Sequence, residues 1–560
     1  MQRPNRTFTS GMTAALLVAI TASYDSIAQS SSILRRSSRR SGARARSNSS
    51  GNSFDVHCGS KMTASLLGLA ILAPFTAAWV AASPAMAQEK KPNVVFVLID
   101  NVGYGDLGPY GGGELRGAPT PRIDQLAHEG LRLTQFLVEP ACTPSRAALL
   151  TGQYSIRNGL SLIIIPGSPN TLPGSARTMA QMFKGEDYAT ALYGKWHLGK
   201  DAQSLPTAHG FDEYYGIPPD ESWDSATYVG TIELTHSLAA PKAVLLEKGP
   251  QVVEAVAGGA LRNVKPYTPD VRAEIDNELV AKGIDFMKRQ SAAGKPFFLY
   301  LPISVGHAPT YPSAQFKGKS RIGNYGDKLM EGDYHVGLIM DSLKQLGVDD
   351  NTILVLASDN GPGGDAAREF GNQGTPDTGN AGPYRGALGD ATEGSLRTPA
   401  LLRWPAKIKP GTSSNAMFSI MDFCPTFASI VGAKMPTDRP IDGVDQTDVL
   451  LGKSTTGNRE TLLSFIGGDL VAARWKQWRY YFTDMRPTGA GPQMLDGAGS
   501  TSAAMAGYPK LYNIEMDPHE NLNIVGLFGW AVGPGLEAVK KYEETLKKYP
   551  NPPAANLTKF

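Results

Sequence analysis

Short apolar segments without polar alternation recur between segments of helical periodicity from residue 92 onward, and this alternation constrains the fold more than any other feature. Uninterrupted apolar segments are typical of strands that are buried on both faces of a sheet. They cover residues 94–99, 190–193, 296–301 and 352–357, and a further short strand is predicted at 131–136. Helices are predicted at 121–130, after Pro144, at 269–290 and at 327–346. The chain is therefore predicted to form a three-layer α/β/α sandwich around a large, mostly parallel mixed sheet.

The sequence changes character near residue 455. Apolar and aromatic strand-like segments, such as 462–465 and 478–482, are separated by Gly-rich turns and followed by a helical segment at 536–548. This pattern predicts a smaller C-terminal α+β domain with an antiparallel sheet. We expect a catalytic domain at 88–454 and this second domain at 455–560.

Residues 1–87 resemble an export leader. Lys61 precedes an apolar segment at 66–75, and small residues end at Ala87, where cleavage is predicted. A transmembrane anchor is the alternative, but Pro and Ser residues interrupt a segment that is shorter than a membrane span requires. Translation from Met62 would explain the extra residues 1–61. The mature protein is expected to be periplasmic or secreted, without a stable membrane span.

Net charge gives no support for a nucleic-acid partner. The whole chain has 54 Lys+Arg and 52 Asp+Glu, but the leader holds nine basic and two acidic residues, which leaves 45 basic and 50 acidic residues downstream. A protein that binds DNA or RNA usually carries a basic surface. We therefore expect no nucleic-acid partner.

Two acid–amide pairs follow predicted strands directly. Asp100-Asn101 follows the strand at 94–99, and Asp359-Asn360 follows the strand at 352–357. The carboxyl ends of strands in an open α/β sheet form the usual ligand-binding edge, and such oxygen ligands suit Ca²⁺ or Mg²⁺. A simple turn is the alternative interpretation of each pair on its own.

Cys142 lies directly before Thr143-Pro144 at a predicted helix start, with Arg146 four residues later. Free N–H groups at a helix N-terminus favour an anionic substrate and lower the pKa of a thiol. A thiolate nucleophile is the general interpretation of this arrangement. Cys424, in an apolar segment, is interpreted as a buried hydrophobic residue.

The sequence Cys-Thr-Pro-Ser-Arg, followed by Ala-Ala-Leu-Leu-Thr-Gly, resembles the signature of the type I sulfatases of the alkaline-phosphatase superfamily, arylsulfatase-like enzymes. Further segments resemble family blocks in the family's order across nearly all of residues 90–525: they lie at 91–93, 100–108, 121–130, 194–199, 307–309, 358–361, 397–405 and 511–520. In that family the cysteine is oxidised to formylglycine by a formylglycine-generating enzyme. The resemblance implies hydrolysis of sulfate esters.

The resemblance also implies roles for individual residues. One hydroxyl of the hydrated aldehyde at position 142 would attack sulfur, and the second would expel sulfate. Asp100, Asn101, Asp359 and Asn360 match the family's calcium ligands. Arg146 and Lys195 would neutralise negative charge, His197 would deprotonate the spare hydroxyl, and His307 would contact sulfate and protonate the leaving oxygen. Lys195 and His197 also project to the same side of an extended segment, which favours their convergence.

Two positions depart from the family pattern. Asn101 stands where many members have Asp, so one ligand lacks a charge and calcium affinity is expected to be weaker. Leu388 stands where the family has a sulfate-binding lysine. Arg385, three residues earlier, is predicted to bind the sulfate instead; a structural role for Arg385 is the alternative.

The sequence thus predicts an exported, calcium-dependent sulfatase that acts on aryl or carbohydrate sulfates. A phosphoester or phosphonate hydrolase of the same superfamily is one alternative. A catalytically impaired protein that binds sulfate or glycans is another, because of Asn101 and Leu388. Loops at 210–265 and 361–390 should recognise the alcohol, but they show no diagnostic pattern.

Overall fold

The first strand, Asn93–Ile99, is buried along its whole length, and its side chains divide between two hydrophobic cores. Val94, Phe96 and Leu98 belong to one core, whereas the intervening residues belong to the other. This division requires covering layers on both faces of the sheet. The structure is a computed structural model that describes residues 90–165, 167–226, 249–363, 379–485, 501–502 and 509–555, so the predicted leader lies outside the described residues.

The described strands are, in chain order, β1 (Asn93–Ile99), β2 (Leu131–Leu133), β3 (Phe136–Leu137), β4 (Ala189–Tyr193), β5 (Glu213–Gly216), β6 (Gln251–Val256), β7 (Arg262–Pro266), β8 (Phe297–Ile303), β9 (Thr352–Ser358), β10 (Ala400–Arg403), β11 (Thr412–Ser414), β12 (Phe418–Ser419), β13 (Thr461–Ile466), β14 (Asp469–Trp475), β15 (Trp478–Tyr481), β16 (Asp484–Met485), β17 (Thr501–Ser502) and β18 (Lys510–Asn513). The main sheet has ten strands in the order β11-β2-β10-β9-β1-β8-β4-β5-β6-β7. Strands β9, β1, β8, β4 and β5 run parallel, and antiparallel strands flank them.

The described helices are α1 (Pro121–His128), α2 (Cys142–Thr151), α3 (Met179–Gly185), α4 (Pro269–Ala292), α5 (Gly323–Gln345), α6 (Glu393–Leu396), α7 (Phe423–Val431), α8 (Thr447–Leu450), α9 (Val525–Phe528) and α10 (Val532–Leu546). Helices α2, α3 and α7 contribute buried residues to the core on one face of the sheet. Helices α1, α4 and α5 contribute to the core on the other face. The predicted α/β/α sandwich is therefore confirmed.

A smaller antiparallel sheet follows, with the order β13-β14-β15-β18. This sheet also matches the prediction. Met86–Phe560 form one compact unit that contains both sheets. Leu463 and Phe465 of β13 lie in the same core as Leu149 and Leu150 of α2, and β13 contacts Tyr154, just after that helix. The domain boundary at residue 455 stays a prediction.

Two details of the structure differ from the sequence prediction. The single strand predicted at 131–136 is divided in two, because β2 pairs with β10 and β11 in the main sheet, whereas β3 pairs with β12 in a separate two-stranded sheet. The last helix begins at Val532 rather than at residue 536. Across the described ranges, no helix is both long and apolar enough to cross a membrane.

Candidate active site

The carboxyl ends of β1 and β9 bring the two acid–amide pairs together. The strands are parallel, with Ile99 opposite Ser358, so the residues that follow them meet at one edge. The backbone N–H of Asn101 donates to Oδ1 of Asp359 at 3.2 Å, and Nδ2 of Asn360 donates to Oδ1 of Asn101 at 2.6 Å. Asp100 is also buried. The expected convergence of these residues is therefore observed.

Cys142 begins helix α2, and its thiol lies beside these oxygens. The Sγ atom is 3.4 Å from Oδ1 of Asp100 and 3.7 Å from Oδ1 of Asn101. Burial, reinforced by the charge of Asp100, raises the pKa of the Cys142 thiol well above its usual value. The expectation that the helix N-terminus lowers this pKa is therefore wrong, because desolvation and a neighbouring anion outweigh the helix.

Arg146 and Lys195 supply positive charge to the same oxygens. Nη2 of Arg146 donates to Oδ2 of Asp100 at 2.8 Å and to Oδ2 of Asp359 at 2.6 Å. Nζ of Lys195 donates to Oδ2 of Asp100 at 2.9 Å. Burial alone would raise the pKa of Asp100, but Lys195, His307 and Arg146 hold it below its usual range. Burial and the charge of Asp100 raise the pKa of Asp359 to about 6.

The two histidines present different ring nitrogens to the site. Nε2 of His197 lies 2.7 Å from the carbonyl oxygen of Ile164. A carbonyl only accepts, so Nε2 carries the proton and the buried Nδ1, which has no partner among the described residues, is left as an acceptor. Nδ1 of His307 likewise donates to the carbonyl of Ala308 at 2.6 Å, which leaves Nε2 as an acceptor. Burial lowers the pKa of both rings, that of His307 to about 4.

Asn101 and His197 have left-handed backbone conformations, with φ of 57° and 60° respectively. Residues other than glycine rarely adopt this conformation, and it costs of order 1–3 kcal/mol where it occurs. Strain of this kind is concentrated at functional sites. Both residues were identified from the sequence as site residues, so the strain supports a functional role for each.

The oxygen-rich part of the site suits a divalent cation. Oδ1 of Asn360 is buried and has no hydrogen-bond partner among the described residues. A carboxylate oxygen of Asp100, Sγ of Cys142 and a ring nitrogen of His307 also lie within 4.8 Å of one another. Two carboxylates and two amides provide the oxygen ligands that Ca²⁺ prefers. The residues present therefore fit the predicted metal.

Sequence reasoning missed two residues that contact the site. Ser222 lies with its Oγ 2.8 Å from Nε2 of His307, and the indole Nε1 of Trp223 donates to Oδ2 of Asp100 at 2.9 Å. Both follow β5, whose carboxyl end lies at the same sheet edge as that of β4. Had β5 been recognised as a parallel neighbour of β4, the residues after it would have been candidates.

Arg385 contacts residues of the C-terminal sheet and of the segment after it. Its guanidinium is 3.4 Å from a carboxylate oxygen of Glu520 and lies over the rings of Tyr481 and Tyr512, at 5.7 and 5.9 Å from their centroids. These partners belong to β15, β18 and the segment after β18. The role of Arg385 in binding sulfate stays a prediction. The backbone N–H of Leu388 donates to the carbonyl of Pro362 at 2.8 Å.

Glu139 precedes helix α2, which begins at Cys142, and the backbone N–H and carbonyl of Glu139 both bond to Oγ of Ser145. Burial raises the pKa of its carboxyl group to about 8, whereas in the unfolded chain the value is near 4.5. Stability contributed by this group is therefore lost as pH rises from the unfolded value to the folded one.

Glu139→Gln is expected to remove that loss, because the amide does not ionise. The free energy of unfolding of the variant relative to the wild type should rise by about 1.4 kcal/mol per pH unit through this window. Urea denaturation between about pH 5 and pH 8 measures the difference. A difference that stays constant with pH would contradict the prediction.

Comparisons with known proteins point to one enzyme family. The sulfatase family model matches residues 92–433. Steryl-sulfatase from Rattus norvegicus is 33% identical over 498 residues, which cover 77% of this chain and 84% of the relative. Arylsulfatase A from Bos taurus is 32% identical over 476 residues, which cover 83% of this chain and 89% of the relative.

The crystal structure of PsFucS1 sulfatase from Pseudoalteromonas sp. has a TM-score of 0.75 and 31% identity to this chain, and it covers 84% of this chain and 93% of its own. Fold, family match and sequence identity over most of the chain thus agree with the resemblance drawn from the sequence motifs. The chain belongs to the type I sulfatases of the alkaline-phosphatase superfamily, enzymes that hydrolyse sulfate esters.

Proposed function

We propose that this sulfatase cleaves sulfate monoesters of aryl alcohols or carbohydrates, using formylglycine made from Cys142 and a bound calcium ion. The observation that carries this proposal is the position of Cys142, whose Sγ lies 3.4 Å from Asp100 and 3.7 Å from Asn101. The raised pKa of the thiol adds support, because the group stays protonated near neutral pH and is a poor thiolate nucleophile. Oxidation by the formylglycine-generating enzyme, followed by addition of water to the aldehyde, would replace the thiol with an oxygen nucleophile.

Calcium and the aldehyde hydrate together would supply an electrophile for a sulfate oxygen and a pair of hydroxyls, one to attack sulfur and one to release sulfate. Asp100, Asn101, Asp359 and Asn360 would hold the ion. Arg146 and Lys195 would balance the charge that develops on the transferring group.

The histidines supply the proton steps. Nδ1 of His197 is buried and carries no proton, so it is suited to accept a proton from the spare hydroxyl. Nε2 of His307, which accepts the hydroxyl proton of Ser222, would carry a proton to the leaving alcohol oxygen. Burial lowers the pKa of both rings. His197 is therefore neutral and can accept a proton at Nδ1, whereas His307 would donate from its doubly protonated form, which the negative charge of Asp100 favours.

Export by the leader at 1–87 and modification by a formylglycine-generating enzyme belong to the same proposal. The leader's apolar segment and small residues before position 88 support export. The Cys-Thr-Pro-Ser-Arg sequence supports recognition by the modifying enzyme.

Mass spectrometry of the peptide that contains residue 142, from protein made in the native host, tests the proposal. We expect an aldehyde in place of the thiol and turnover of an aryl sulfate that exceeds turnover of the matching phosphate monoester and diester. Full activity with an unmodified thiol would overturn the nucleophile assignment. Preference for a phosphoester would overturn the substrate class.

Arg385→Ala is expected to lower kcat/KM for an aryl sulfate by roughly tenfold if Arg385 replaces the family's lysine as a sulfate contact. Glu520→Gln is the matched control, because it removes the charge partner of Arg385 but not the guanidinium. Steady-state kinetics of both variants measure the loss of the sulfate contact, and thermal melting measures any loss of stability. Near-unchanged kinetics for Arg385→Ala would refute the proposal that Arg385 takes the place of the family's sulfate-binding lysine.

A further inference from the structure

Trp223 lies fully buried against the candidate active site. It opens the 3₁₀ turn Trp223–Ala226, after β5, and has 0% exposure. Its indole Nε1 donates to Oδ2 of Asp100 at 2.9 Å. No step of the proposed reaction uses this side chain, so its contact with a proposed metal ligand needs its own explanation.

One oxygen of Asp100 accepts three hydrogen bonds. Oδ2 receives Nη2 of Arg146, Nζ of Lys195 and Nε1 of Trp223, at 2.8, 2.9 and 2.9 Å. The other oxygen, Oδ1, faces Sγ of Cys142. Since all three donors act on Oδ2, they fix the carboxylate with Oδ1 directed towards the position of the nucleophile.

The three donors differ in stiffness and charge. Arg146 and Lys195 are cations on long, flexible side chains, whereas Trp223 is neutral and has only two side-chain torsions. The indole therefore restricts the orientation of the carboxylate without changing the charge of the site.

Arg272 of α4 holds this tryptophan in place. Its guanidinium lies 5.4 Å from the centre of the Trp223 ring, and Tyr267 donates to the backbone carbonyl of Trp223 at 3.2 Å. The same guanidinium donates to Oγ of Ser304 at 2.6 Å and to the carbonyl of His307 at 3.2 Å. Arg272 thus contacts both Trp223 and the segment that carries His307.

A buried network fixes Arg272 in turn. Oγ of Ser304 accepts from Arg272 and donates to Asp276 at 2.5 Å. Asp276 also accepts from Nζ of Lys328 at 2.8 Å, so α4 and α5 are joined beneath the site. Arg272, Asp276 and Lys328 are all buried, and buried networks of this kind hold their members in one arrangement.

We propose that Trp223 is a positioning residue that orients the Asp100 carboxylate for the metal and the nucleophile. Arg272 then fixes the position of Trp223 relative to the segment that carries His307. This inference rests on the proposed function, because the site is the same. It adds two residues, Trp223 and Arg272, that would act through Asp100 and the His307 segment rather than on the ester itself.

Trp223→Phe tests the proposal, because phenylalanine keeps an aromatic ring over Arg272 but lacks the N–H group. We expect kcat for an aryl sulfate to fall about ten- to hundredfold, the range for losing a hydrogen bond to a charged group, while KM changes by less than about twofold. Calorimetric titration of the metal-free protein should show calcium binding weakened several-fold. A merely structural role would lower the melting temperature without changing calcium affinity.

Arg272→Lys and the double variant test whether the two residues act together. Coupled residues give effects on kcat that do not add, whereas additive effects would overturn the role of Arg272. Trp404→Phe, at another buried tryptophan, is the control for the substitution itself and should leave kcat unchanged.

Unchanged kcat and calcium affinity in Trp223→Phe, with an active wild type, would overturn the role of Trp223. An inactive wild type that carries the aldehyde would instead contradict the proposed function, and the calcium titration would then decide the role of Trp223.

Discussion

Replacing Cys142 with serine is expected to turn a multiple-turnover hydrolase into a protein that reacts once. The serine hydroxyl would occupy the place of Sγ, beside Asp100 and Asn101, and attack the ester sulfur. Serine has no second hydroxyl on the same carbon, so the sulfated side chain cannot expel sulfate by internal elimination. Water would have to attack a hindered sulfate, and we expect kcat to fall by at least about a thousandfold.

Rapid-mixing kinetics and intact-protein mass spectrometry check this expectation. One equivalent of alcohol should be released in a burst, and the protein should gain the mass of one SO₃ group. Cys424→Ser is the matched control, because Cys424 is also buried but lies in α7, beside Gly152 at the opposite end of α2 from Cys142. Steady multiple turnover by an unmodified serine at position 142 would refute the proposed role of the aldehyde.

Replacing Arg146 with leucine should give the second large effect. Nη2 of Arg146 contacts Asp100 and Asp359 together, and all three side chains have 0% exposure. Removing the cation leaves two buried carboxylates facing each other, and breaking a buried pair in this way costs about 3–5 kcal/mol. Turnover should also fall by roughly a hundredfold or more, because the transferring group loses a nearby positive charge.

Calcium should restore part of the lost stability, since it would bind the same two carboxylates that lose the positive charge of the arginine. Chemical denaturation with calcium and with a chelator measures this recovery. Arg459→Leu is the matched control: it breaks a buried pair with Asp422, and its stability loss should not respond to calcium. Equal responses of the two variants to calcium would contradict a metal site at Asp100 and Asp359.

The convergence of site residues was predictable from the sequence because it follows from a property of parallel sheets. Asp100 and Asp359 each follow a continuous apolar segment, and the carboxyl ends of parallel strands lie at one edge. The pairing of β1 with β9 confirms that inference. Lys195 and His307, which follow β4 and β8, reach the same edge for the same reason.

Other features depend on interactions that local sequence does not encode. The contact between Trp223 and Asp100 joins residues that are 123 positions apart. The thiol pKa of Cys142 follows from burial and from Asp100, neither of which a helix-start pattern reveals. The division into β2 and β3 follows from their pairing with β11 and β12, two different strands much later in the chain.

The partners of Arg385 illustrate the same limit. Spacing along the family block makes Arg385 a natural substitute for the lysine absent at Leu388. The structure pairs its guanidinium with Glu520, in the segment after β18. Only the tertiary packing of the C-terminal sheet against that loop reveals this competing partner.

The core shared by α2 and the C-terminal sheet has a consequence for truncated chains. Tyr154, just after α2, packs its ring 5.3 Å from that of Phe465, and its hydroxyl accepts the backbone N–H of Leu463. A chain that stopped after residue 460 would remove the partners of Tyr154 on β13 and leave part of the shared core open to water. We expect such a truncated chain to lose hydrolytic activity, because the segment that follows α2 would lose its packing partner. The deleted residues themselves supply none of the groups proposed to act on the ester.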